Sequence, residues 1–188
     1  DELPNFHDIS TDVKTISTDS RWKTFFLVGF GRPSQRNIAL CPKTWEALQD
    51  IPGLKTAMFS IFEPGKHLPA HRGPYNGVLR LHLGLIVPTR WQKCRMIVGG
   101  ESVRWREGKC FVFDDSMLHQ VWNKTDEERA ILLFDFDRPM RWPASALNRL
   151  AMAMLKRTAY YRDARKNLKT LDRDVQERVR QVEPGRQV

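Results

Sequence analysis

Short stretches in which apolar and polar residues alternate make up the middle of the chain, and turn residues bound each of them. Residues 22–30 are rich in aromatic and branched side chains, as strands are. The two stretches that flank Gly99 and Gly100 predict a hairpin. Further strands are predicted over residues 57–62, 78–87, 94–98, 101–106, 109–114, 119–122 and 130–135. Many short strands at this spacing favour a β-sandwich or barrel.

Two stretches follow helical periodicity instead. The first begins at Pro42, which suits the first turn of a helix, and runs to Gln49 with Trp45 and Leu48 on one face. The second begins at Pro143. Its apolar residues recur at helical spacing and are Leu147, Leu150, Ala151, Met154 and Leu155. We interpret the first twenty residues as an irregular arm, so the chain is predicted to be mainly β with flanking helices.

A length of 188 residues suits one domain. We predict a β domain with its arm over residues 1–140 and a basic, amphipathic helical tail over residues 141–188. The three cysteines, Cys41, Cys94 and Cys110, show no CxxC spacing and cannot all pair, which favours a reducing compartment. No run of about 18 apolar residues occurs and no signal peptide is recognisable, so we expect no membrane-spanning segment.

Positive charge is concentrated near the C-terminus. The net charge is +9, and residues 141–180 hold 11 Lys and Arg against 4 Asp and Glu. Such a tail predicts an anionic partner, which would be membrane lipid, nucleic acid or an acidic protein. The alternative is a solvated helical face that serves solubility alone.

Two histidines stand out by their positions in the predicted strands. His71 lies at a strand end before a Gly-Pro turn, and His119 begins a strand 48 residues later. Neutral imidazole is a common protein ligand for divalent iron, zinc and copper. We therefore take His71 and His119 as candidate metal ligands, although a single histidine in a strand is more often structural.

The usual carboxylate ligand is missing from this pattern. Non-haem iron oxygenases commonly add a carboxylate to two histidines, and its expected position two residues after His71 is Gly73. The residues themselves therefore leave two readings: a metal with an extra open position, or no oxygenase at all. Asp114 and Asp115 could be metal ligands in principle, but at four and five residues before His119 they are expected to shape the corner or bond backbone amides.

Strand alternation predicts which side chains surround the metal. In residues 79–85 the leucines take one face, while Arg80, His82 and Gly84 share the other. In the last strand Arg129 shares a face with Ile131. A buried charge is costly unless an anion meets it, and a dicarboxylate would satisfy Arg129 through paired hydrogen bonds. The alternative places Arg129 at the surface, paired with the acids of residues 126–128.

These motifs resemble those of the aspartyl/asparaginyl β-hydroxylase family of iron(II)- and 2-oxoglutarate-dependent dioxygenases. The resemblance covers roughly residues 58–139. It is carried by residues 71–76 (HRGPYN), 79–88 (LRLHLGLIVP), 105–109 (WREGK), 113–116 (FDDS) and 119–122 (HQVW), followed by Arg129. The implied fold is a double-stranded β-helix, the jelly roll of cupin-like proteins. The family holds iron(II) with two histidines and no carboxylate, which implies His71 and His119 as the metal ligands and accommodates Gly73.

The resemblance also implies a cosubstrate pocket. Arg129 and Ser60 would hold the distal carboxylate of 2-oxoglutarate, and Arg80 and His82 would lie near the carboxylate that chelates iron. Dioxygen is the implied co-reactant, and ascorbate is expected to stimulate turnover. His71, His119 and Arg129 are then the expected catalytic residues.

Outside that core the chain is similar to a bacterial branch that hydroxylates membrane lipids. The similarity lies in residues 51–54 (IPGL), 147–149 (LNR), 155–157 (LKR) and 163–167 (DARKN). It implies hydroxylation of a fatty acyl chain of lipid A or an ornithine lipid. The basic tail would then bind an anionic membrane surface, where each Lys or Arg contributes about 1 kcal/mol. We expect a cytoplasmic protein, peripheral on the inner face of the bacterial membrane.

Three other functions are compatible with parts of the pattern. The same chemistry on an aspartyl or asparaginyl side chain of a protein is the nearest. A cupin-like metal isomerase or a non-catalytic binding module is more remote. Nucleic-acid binding through the tail is not expected, because the tail has few aromatic stacking groups and no recognised nucleic-acid motif. The sequence predicts nothing about the oligomeric state.

Overall fold

A computed structural model describes residues 3–159 and 161–170. Ten strands lie in this part of the chain: β1 (Trp22–Gly29), β2 (Arg32–Pro33), β3 (Leu54–Phe62), β4 (His67–His71), β5 (Val78–Ile86), β6 (Cys94–Val98), β7 (Glu101–Arg104), β8 (Cys110–Phe113), β9 (His119–Asn123) and β10 (Arg129–Asp137). The α-helices are α1 (Phe6–Ile9), α2 (Gln35–Leu40), α3 (Pro42–Leu48), α4 (Ala144–Leu155) and α5 (161–170).

The strands form two antiparallel sheets that face each other. The six-stranded sheet has the order β2-β1-β3-β10-β5-β8, and the four-stranded sheet has the order β4-β9-β6-β7. From β3 to β10 the chain passes between the two sheets, and each sheet receives four of these eight strands. This topology is a double-stranded β-helix. The fold predicted from the sequence is therefore confirmed.

Strands β5 and β10 lie side by side and supply much of the inner face. Their register places Arg80 opposite Asp135 and His82 opposite Leu133. His82 and Leu133 are both buried between the sheets. Leu81 lies on the opposite face and packs outside the barrel. The predicted alternation in β5 is therefore confirmed.

A second apolar layer covers the outside of the six-stranded sheet. Ile38 of α2 and Leu48 of α3 are buried in one apolar cluster with Leu132 and Phe134 of β10, and Trp45 of α3 packs against it. Because β10 is buried on both faces, its position cannot shift without disturbing two cores. This central strand is the one that carries Arg129.

The N-terminal segment is more ordered than the irregular arm predicted from the sequence, and that prediction is wrong. It contains α1 and a short 3-10 helix (Thr11–Thr15), and Ile9 is fully buried. Lys66, itself buried before β4, donates to Ser17 Oγ at 2.6 Å and to Asp19 Oδ1 at 2.9 Å. Elements of four or five residues are too short to show a helical period, which explains why the pattern missed them.

No bounds were predicted for strand β4, although His71 was expected at a strand end. Pro69 interrupts the stretch, and proline cannot donate a backbone hydrogen bond within a sheet. Strand β4 is the edge strand of the four-stranded sheet, where that donor is not required. The other predicted strands agree with the structure apart from their ends, whereas α2 was not predicted.

The C-terminal part packs on the barrel as far as it is described. Met152 of α4 and Tyr161 and Ala164 of α5 are buried against the core. Residues 171–188 of the predicted tail lie outside the described residues, and the boundary at residue 140 stays a prediction. All three cysteines are free thiols. None of the described helices is both long and apolar enough to cross a membrane.

Candidate active site

His71 and His119 come together at the meeting of β4 and β9. They are direct partners across these two strands, and their ring centroids lie 4.1 Å apart. Each Nδ1 lies 2.8 Å from a backbone carbonyl, that of Pro69 for His71 and that of Met117 for His119. A carbonyl can only accept, so Nδ1 carries the proton and Nε2 keeps its lone pair. Both rings are thus held in the tautomer that a metal requires.

The charge state of the two rings also suits a metal. Burial lowers the pKa of His71, and the neighbouring His119 lowers it further. Burial likewise lowers the pKa of His119, and the positive charge of Arg80 adds to that effect. Both imidazoles are therefore neutral at neutral pH. Among the described residues no group of three or more His, Cys, Asp or Glu side chains is placed to hold a metal, so the candidate protein ligands are this pair.

A network of charged side chains adjoins the histidine pair. Arg80 donates from Nε to Asp135 Oδ1 at 2.7 Å and from Nη2 to Asp135 Oδ2 at 3.0 Å. Its Nη1 donates to Asp115 Oδ1 at 2.6 Å. That same carboxylate oxygen lies 3.5 Å from Nε2 of His119. Burial raises the pKa of Asp135, and the charge of Arg80 opposes that rise.

The two neighbouring aspartates therefore have different roles. Asp114 shapes the corner as predicted, since its Oδ1 accepts from the backbone N–H and the hydroxyl of Ser116. The same expectation for Asp115 is wrong, because Asp115 joins Arg80 to His119 instead. Its partner comes from a strand 35 residues earlier in the chain, which leaves no local signal in the sequence.

Gly73 is explained by the same carboxylate. A Cβ at this position would collide with the side chain of Asp115. The backbone N–H of Gly73 donates to the Asp115 carbonyl at 2.8 Å, which fixes the two segments together. Non-haem iron oxygenases commonly have a carboxylate as third metal ligand two residues after the first histidine. Here the side chain of Asp115 occupies that space beside Gly73.

Arg129 projects into the barrel and is 1 % exposed. Its guanidinium carbon lies 4.1 Å from the ring centroid of Phe62 and 4.7 Å from that of Trp105. Within the described residues, its Nε and Nη2 have no hydrogen-bond partner. Burial lowers its pKa to about 10, so Arg129 remains charged at neutral pH. The alternative of a surface ion pair for Arg129 is wrong.

Further polar groups of the same interior also have unsatisfied atoms. His82 is buried, and neither of its ring nitrogens has a partner among the described residues. Burial lowers its pKa well below the usual value, and the nearby charges of Arg129 and Arg80 lower it further. Nε1 of Trp105 also has no hydrogen-bond partner within the described residues. Ser60 Oγ accepts from Trp22 Nε1 at 3.0 Å and is buried.

The structure joins His71 to His119 directly and Arg80 to His119 through Asp115, and it buries His82, Arg129 and Ser60. Sequence reasoning missed Trp105 and Asp115 as members of the site. Trp105 lies within the strand predicted over residues 101–106, but β7 ends at Arg104, so alternation along that strand could not place its side chain, although it lies in one of the motifs that carry the resemblance. The result is a neutral histidine pair beside a paired charge network, and a buried group of polar atoms on Arg129, His82 and Trp105 that have no partner within the described residues.

Comparisons with known proteins agree with these motifs. The profile of a family described as Aspartyl/Asparaginyl beta-hydroxylase matches residues 1–139. The Rhizobium tropici protein named ornithine lipid ester-linked acyl 2-hydroxylase is 58% identical over 168 residues, which are 89% of this chain and 60% of that protein. Human aspartyl/asparaginyl beta-hydroxylase is 35% identical over 127 residues, which are 65% of this chain and 16% of that protein.

The chain therefore spans only part of the length of these relatives. Among solved structures, the cupin domain of Schizosaccharomyces pombe Cnp3 matches with a TM-score of 0.43 and 10% identity, and covers 67% of this chain and 72% of that one. Strand order and register define the fold independently of that likeness.

Proposed function

We propose that this chain, which belongs to the aspartyl/asparaginyl β-hydroxylase family, is an iron(II)- and 2-oxoglutarate-dependent hydroxylase of a fatty acyl chain in a bacterial membrane lipid. The substrate class is supported by the 58% identity, over 89% of this chain, to the ornithine lipid ester-linked acyl 2-hydroxylase. The chemistry is supported by one observation above all. A neutral histidine pair shares the barrel with a buried guanidinium that has unpaired donors.

His71 and His119 would hold the iron through Nε2. Their Nδ1–H groups are fixed by backbone carbonyls, so neither ring needs to rotate or lose a proton to bind. When bound, iron(II) supplies the activation of dioxygen, which is coupled to the conversion of 2-oxoglutarate to succinate and carbon dioxide. One atom of the dioxygen would end in succinate and the other in the hydroxyl group formed at the substrate C–H bond.

Arg129 would bind the distal carboxylate of 2-oxoglutarate. Its two unpaired donor atoms can form the paired hydrogen bonds that guanidinium and carboxylate groups make. Phe62 and Trp105 hold the guanidinium between them and exclude water, which strengthens the interaction. Ser60 is next to Phe62 on the inner face of β3 and offers its hydroxyl proton to the same carboxylate.

Arg80 and Asp115 would position the metal side of the pocket. Two carboxylates already engage the guanidinium of Arg80, so its charge is fixed in place before any ligand arrives. Asp115 is thereby held against Nε2 of His119. His82 lies near both arginines and is neutral, which leaves an N–H to donate to an anion.

The test is to incubate the protein with iron(II), ascorbate, 2-oxoglutarate and ornithine lipid in detergent micelles. We expect the lipid to gain the mass of one oxygen atom on an acyl chain, with succinate formed in equal amount. Parallel incubations contain lipid A and an aspartate- and asparagine-containing peptide. These parallel incubations show which acceptor is hydroxylated, independently of whether the protein converts 2-oxoglutarate.

The outcomes discriminate the functions clearly. Hydroxylated peptide with unmodified lipid would replace the substrate proposal by protein side-chain hydroxylation. No succinate with any acceptor, in protein that binds iron(II), would contradict the chemistry and favour a cupin-like binding module. Lipid hydroxylation that continues after 2-oxoglutarate is withheld would contradict the cosubstrate.

A further inference from the structure

Helix α4 has one apolar face turned inward and another turned outward. On the inner face Met152 is buried and Leu155 packs against the barrel core. The outward apolar face comprises three residues of the helix and the tryptophan before it. Their exposed fractions are Trp142 81%, Leu147 65%, Leu150 58% and Met154 57%. The single apolar stripe predicted from the sequence is thus divided between the core and the solvent, and we call its exposed part the outer α4 face.

This concentration of exposed apolar surface is unusual within the molecule. Ten large apolar side chains are exposed in the described part of the chain, and four of them belong to the outer α4 face. Scattered apolar residues on a surface need no explanation, but a contiguous group on one helix indicates a binding partner. Tryptophan is also the residue that favours the boundary between water and lipid headgroups.

The charges around this face are almost all positive. Residues 141–170 contain eight Lys and Arg and one acidic residue, Asp163. The exposed cations are Arg141, Arg149, Arg157, Arg162, Lys166 and Lys169. Within the described residues none of these six forms an ion pair. An apolar face with unneutralised cations around it matches an anionic lipid surface better than it matches the acidic or neutral face of a protein.

A groove of about 620 Å³ beside α4 has the same chemistry. Leu81, Phe134 and Phe136 line it from the sheet, and its charged lining residues are Arg149, Arg138, which pairs with Asp114, and Asp137, which pairs with Lys55. Apolar rings beside guanidinium groups fit an acyl chain and an anionic headgroup. The groove therefore points to the same class of partner as the outer α4 face.

The helix is also tied to the candidate active site. Asn148, on its inner side, contacts the Tyr75 hydroxyl and donates to the Gly77 carbonyl at 2.9 Å. Tyr75 is four residues after His71, and it lines a cavity of about 70 Å³ together with Arg80, Asp115 and Met152. A surface that the outer α4 face contacts would therefore lie close to the residues of the site.

We propose that the outer α4 face docks the protein on an anionic lipid bilayer, with Trp142, Leu147, Leu150 and Met154 in the interface and Arg149 and Arg157 on lipid headgroups. This deepens the proposed function, because the lipid substrate would then be presented beside the site. The docking itself requires only the surface. It can therefore be tested without turnover.

The experiment measures co-sedimentation with vesicles of phosphatidylglycerol and phosphatidylcholine, and with vesicles of phosphatidylcholine alone. The variant Leu147→Ser/Leu150→Ser should lower the vesicle partition coefficient at least about tenfold, because two apolar side chains no longer enter the interface. Its matched control is Leu40→Ser, which removes an equally exposed leucine, 63% accessible, from α2. That control should bind like the parent.

A second pair of variants tests the charges without changing apolar surface. Arg149→Gln/Arg157→Gln should weaken binding to the anionic vesicles by about fivefold per arginine and leave binding to phosphatidylcholine unchanged. Arg90→Gln/Arg104→Gln removes the same charge from exposed positions elsewhere and should have a smaller effect. This pair keeps the proposal testable even if the serine variants fail to fold.

Several outcomes would overturn the proposal. Vesicle binding that is equal in the parent and both α4 variants would exclude docking through this face. A serine variant that turns a dimer into a monomer in solution, with unchanged vesicle binding, would make the face a contact between copies. If the protein hydroxylates lipid in detergent micelles but the α4 substitutions leave vesicle binding unchanged, only the docking proposal is contradicted. If the α4 substitutions weaken vesicle binding but no lipid is hydroxylated, only the proposed function is contradicted.

Discussion

Arg80 and Arg129 both project from the six-stranded sheet toward the interior of the barrel, but their surroundings differ. Two carboxylates, Asp115 and Asp135, surround the guanidinium of Arg80. Two aromatic rings surround that of Arg129, and two of its nitrogens are unpaired within the described residues. A paired arginine organises a site that is already complete. An unpaired one in the same interior is a place where a ligand must bring the anion.

The difference also separates stability from function. Pairing Arg80 with carboxylates offsets the cost of removing three charges from water. Arg129 has no such compensation among the described residues, so its burial opposes folding, and the proposed binding of an anion would explain why it is retained. The following substitutions should therefore affect the two regions in opposite ways.

The largest effect is expected at the histidine pair, which adjoins the paired region. His119→Ala should abolish turnover and lower the affinity for divalent metal more than about a hundredfold, because one of two protein ligands is lost. Titration calorimetry with a redox-inert divalent ion measures the affinity directly. The matched control is His67→Ala, since His67 lies in the same sheet and stacks on Trp122 at the exposed start of β4.

The histidine prediction has a pH component. Burial lowers the pKa of His71 and His119 below the usual value of 6.5, so protons compete with the metal only in more acidic solution. Metal affinity should decline as the pH falls through the lowered pKa values, with the midpoint of the decline below pH 6.5. A decline centred above pH 6.5, or loss of metal by His67→Ala, would contradict the assignment.

The second largest effect is expected from Arg80→Met. This change leaves Asp115 and Asp135 without their cation and should cost about 3–5 kcal/mol of folding free energy. Because burial raises the pKa of Asp135 above 3.8, this carboxyl group accepts a proton more readily than an exposed one. The variant should therefore be least destabilised near pH 4 and lose stability as the pH rises through the folded-state pKa. Urea denaturation at several pH values measures this, and an unchanged midpoint at neutral pH would show the pairing to be unimportant.

Arg129→Met should behave in the opposite way. It removes a buried charge without creating an unpaired partner, so folding stability should stay equal to that of the parent or increase. The affinity for 2-oxoglutarate should fall about ten- to a hundredfold, the loss of roughly 1.5–3 kcal/mol of charged hydrogen bonds. Metal affinity measured without cosubstrate should be unchanged. If Arg129→Met binds 2-oxoglutarate as tightly as the parent, the assignment of this residue is wrong.

The contrast between these arginines was only partly predictable from the sequence. Alternation grouped Arg80 with His82 in β5 and Arg129 with Ile131 in β10, because strand periodicity is a local property, but it left open whether Arg129 faces the interior. The partners of Arg80 were not predictable in the same way. Asp115 reaches it from a corner whose sequence suggests only turn formation, and Asp135 reaches it through the register of β5 and β10.

Helix α4 shows the same limit. Its period predicted the helix and an apolar stripe, but that stripe did not include Met152, because period alone cannot say which face of a helix turns toward the core. The barrel decides that question by contacting Met152 and leaving Leu150 exposed. Pro69 in β4 is a third case, since its effect depends on whether the strand is an edge strand, which is a property of the whole sheet.

A third buried cation gives the smallest and most controlled comparison. Lys66 is 1% exposed and is paired with Asp19, whose side chain is 37% exposed. Burial raises the pKa of Asp19, but hydrogen bonds from Lys66 and Arg21 outweigh it and lower the pKa from 3.8 to about 2. A depressed carboxyl pKa contributes stability above the unfolded value, and this contribution is lost as the pH falls from about 4 to about 2. Because Asp19 is partly exposed, the loss should be only about 1 kcal/mol.

Asp19→Asn tests this by removing the titrating group while keeping an oxygen that accepts from Lys66. The variant should be less stable than the parent at neutral pH, and the two stabilities should converge near pH 2. Acid titration of the denaturation midpoint measures both curves. Parallel curves would mean that Lys66 is satisfied by Ser17 alone. A neutral acceptor would then be enough for a buried cation in this fold. Arg129, whose Nε and Nη2 have no acceptor within the described residues, would differ from Lys66 all the more clearly.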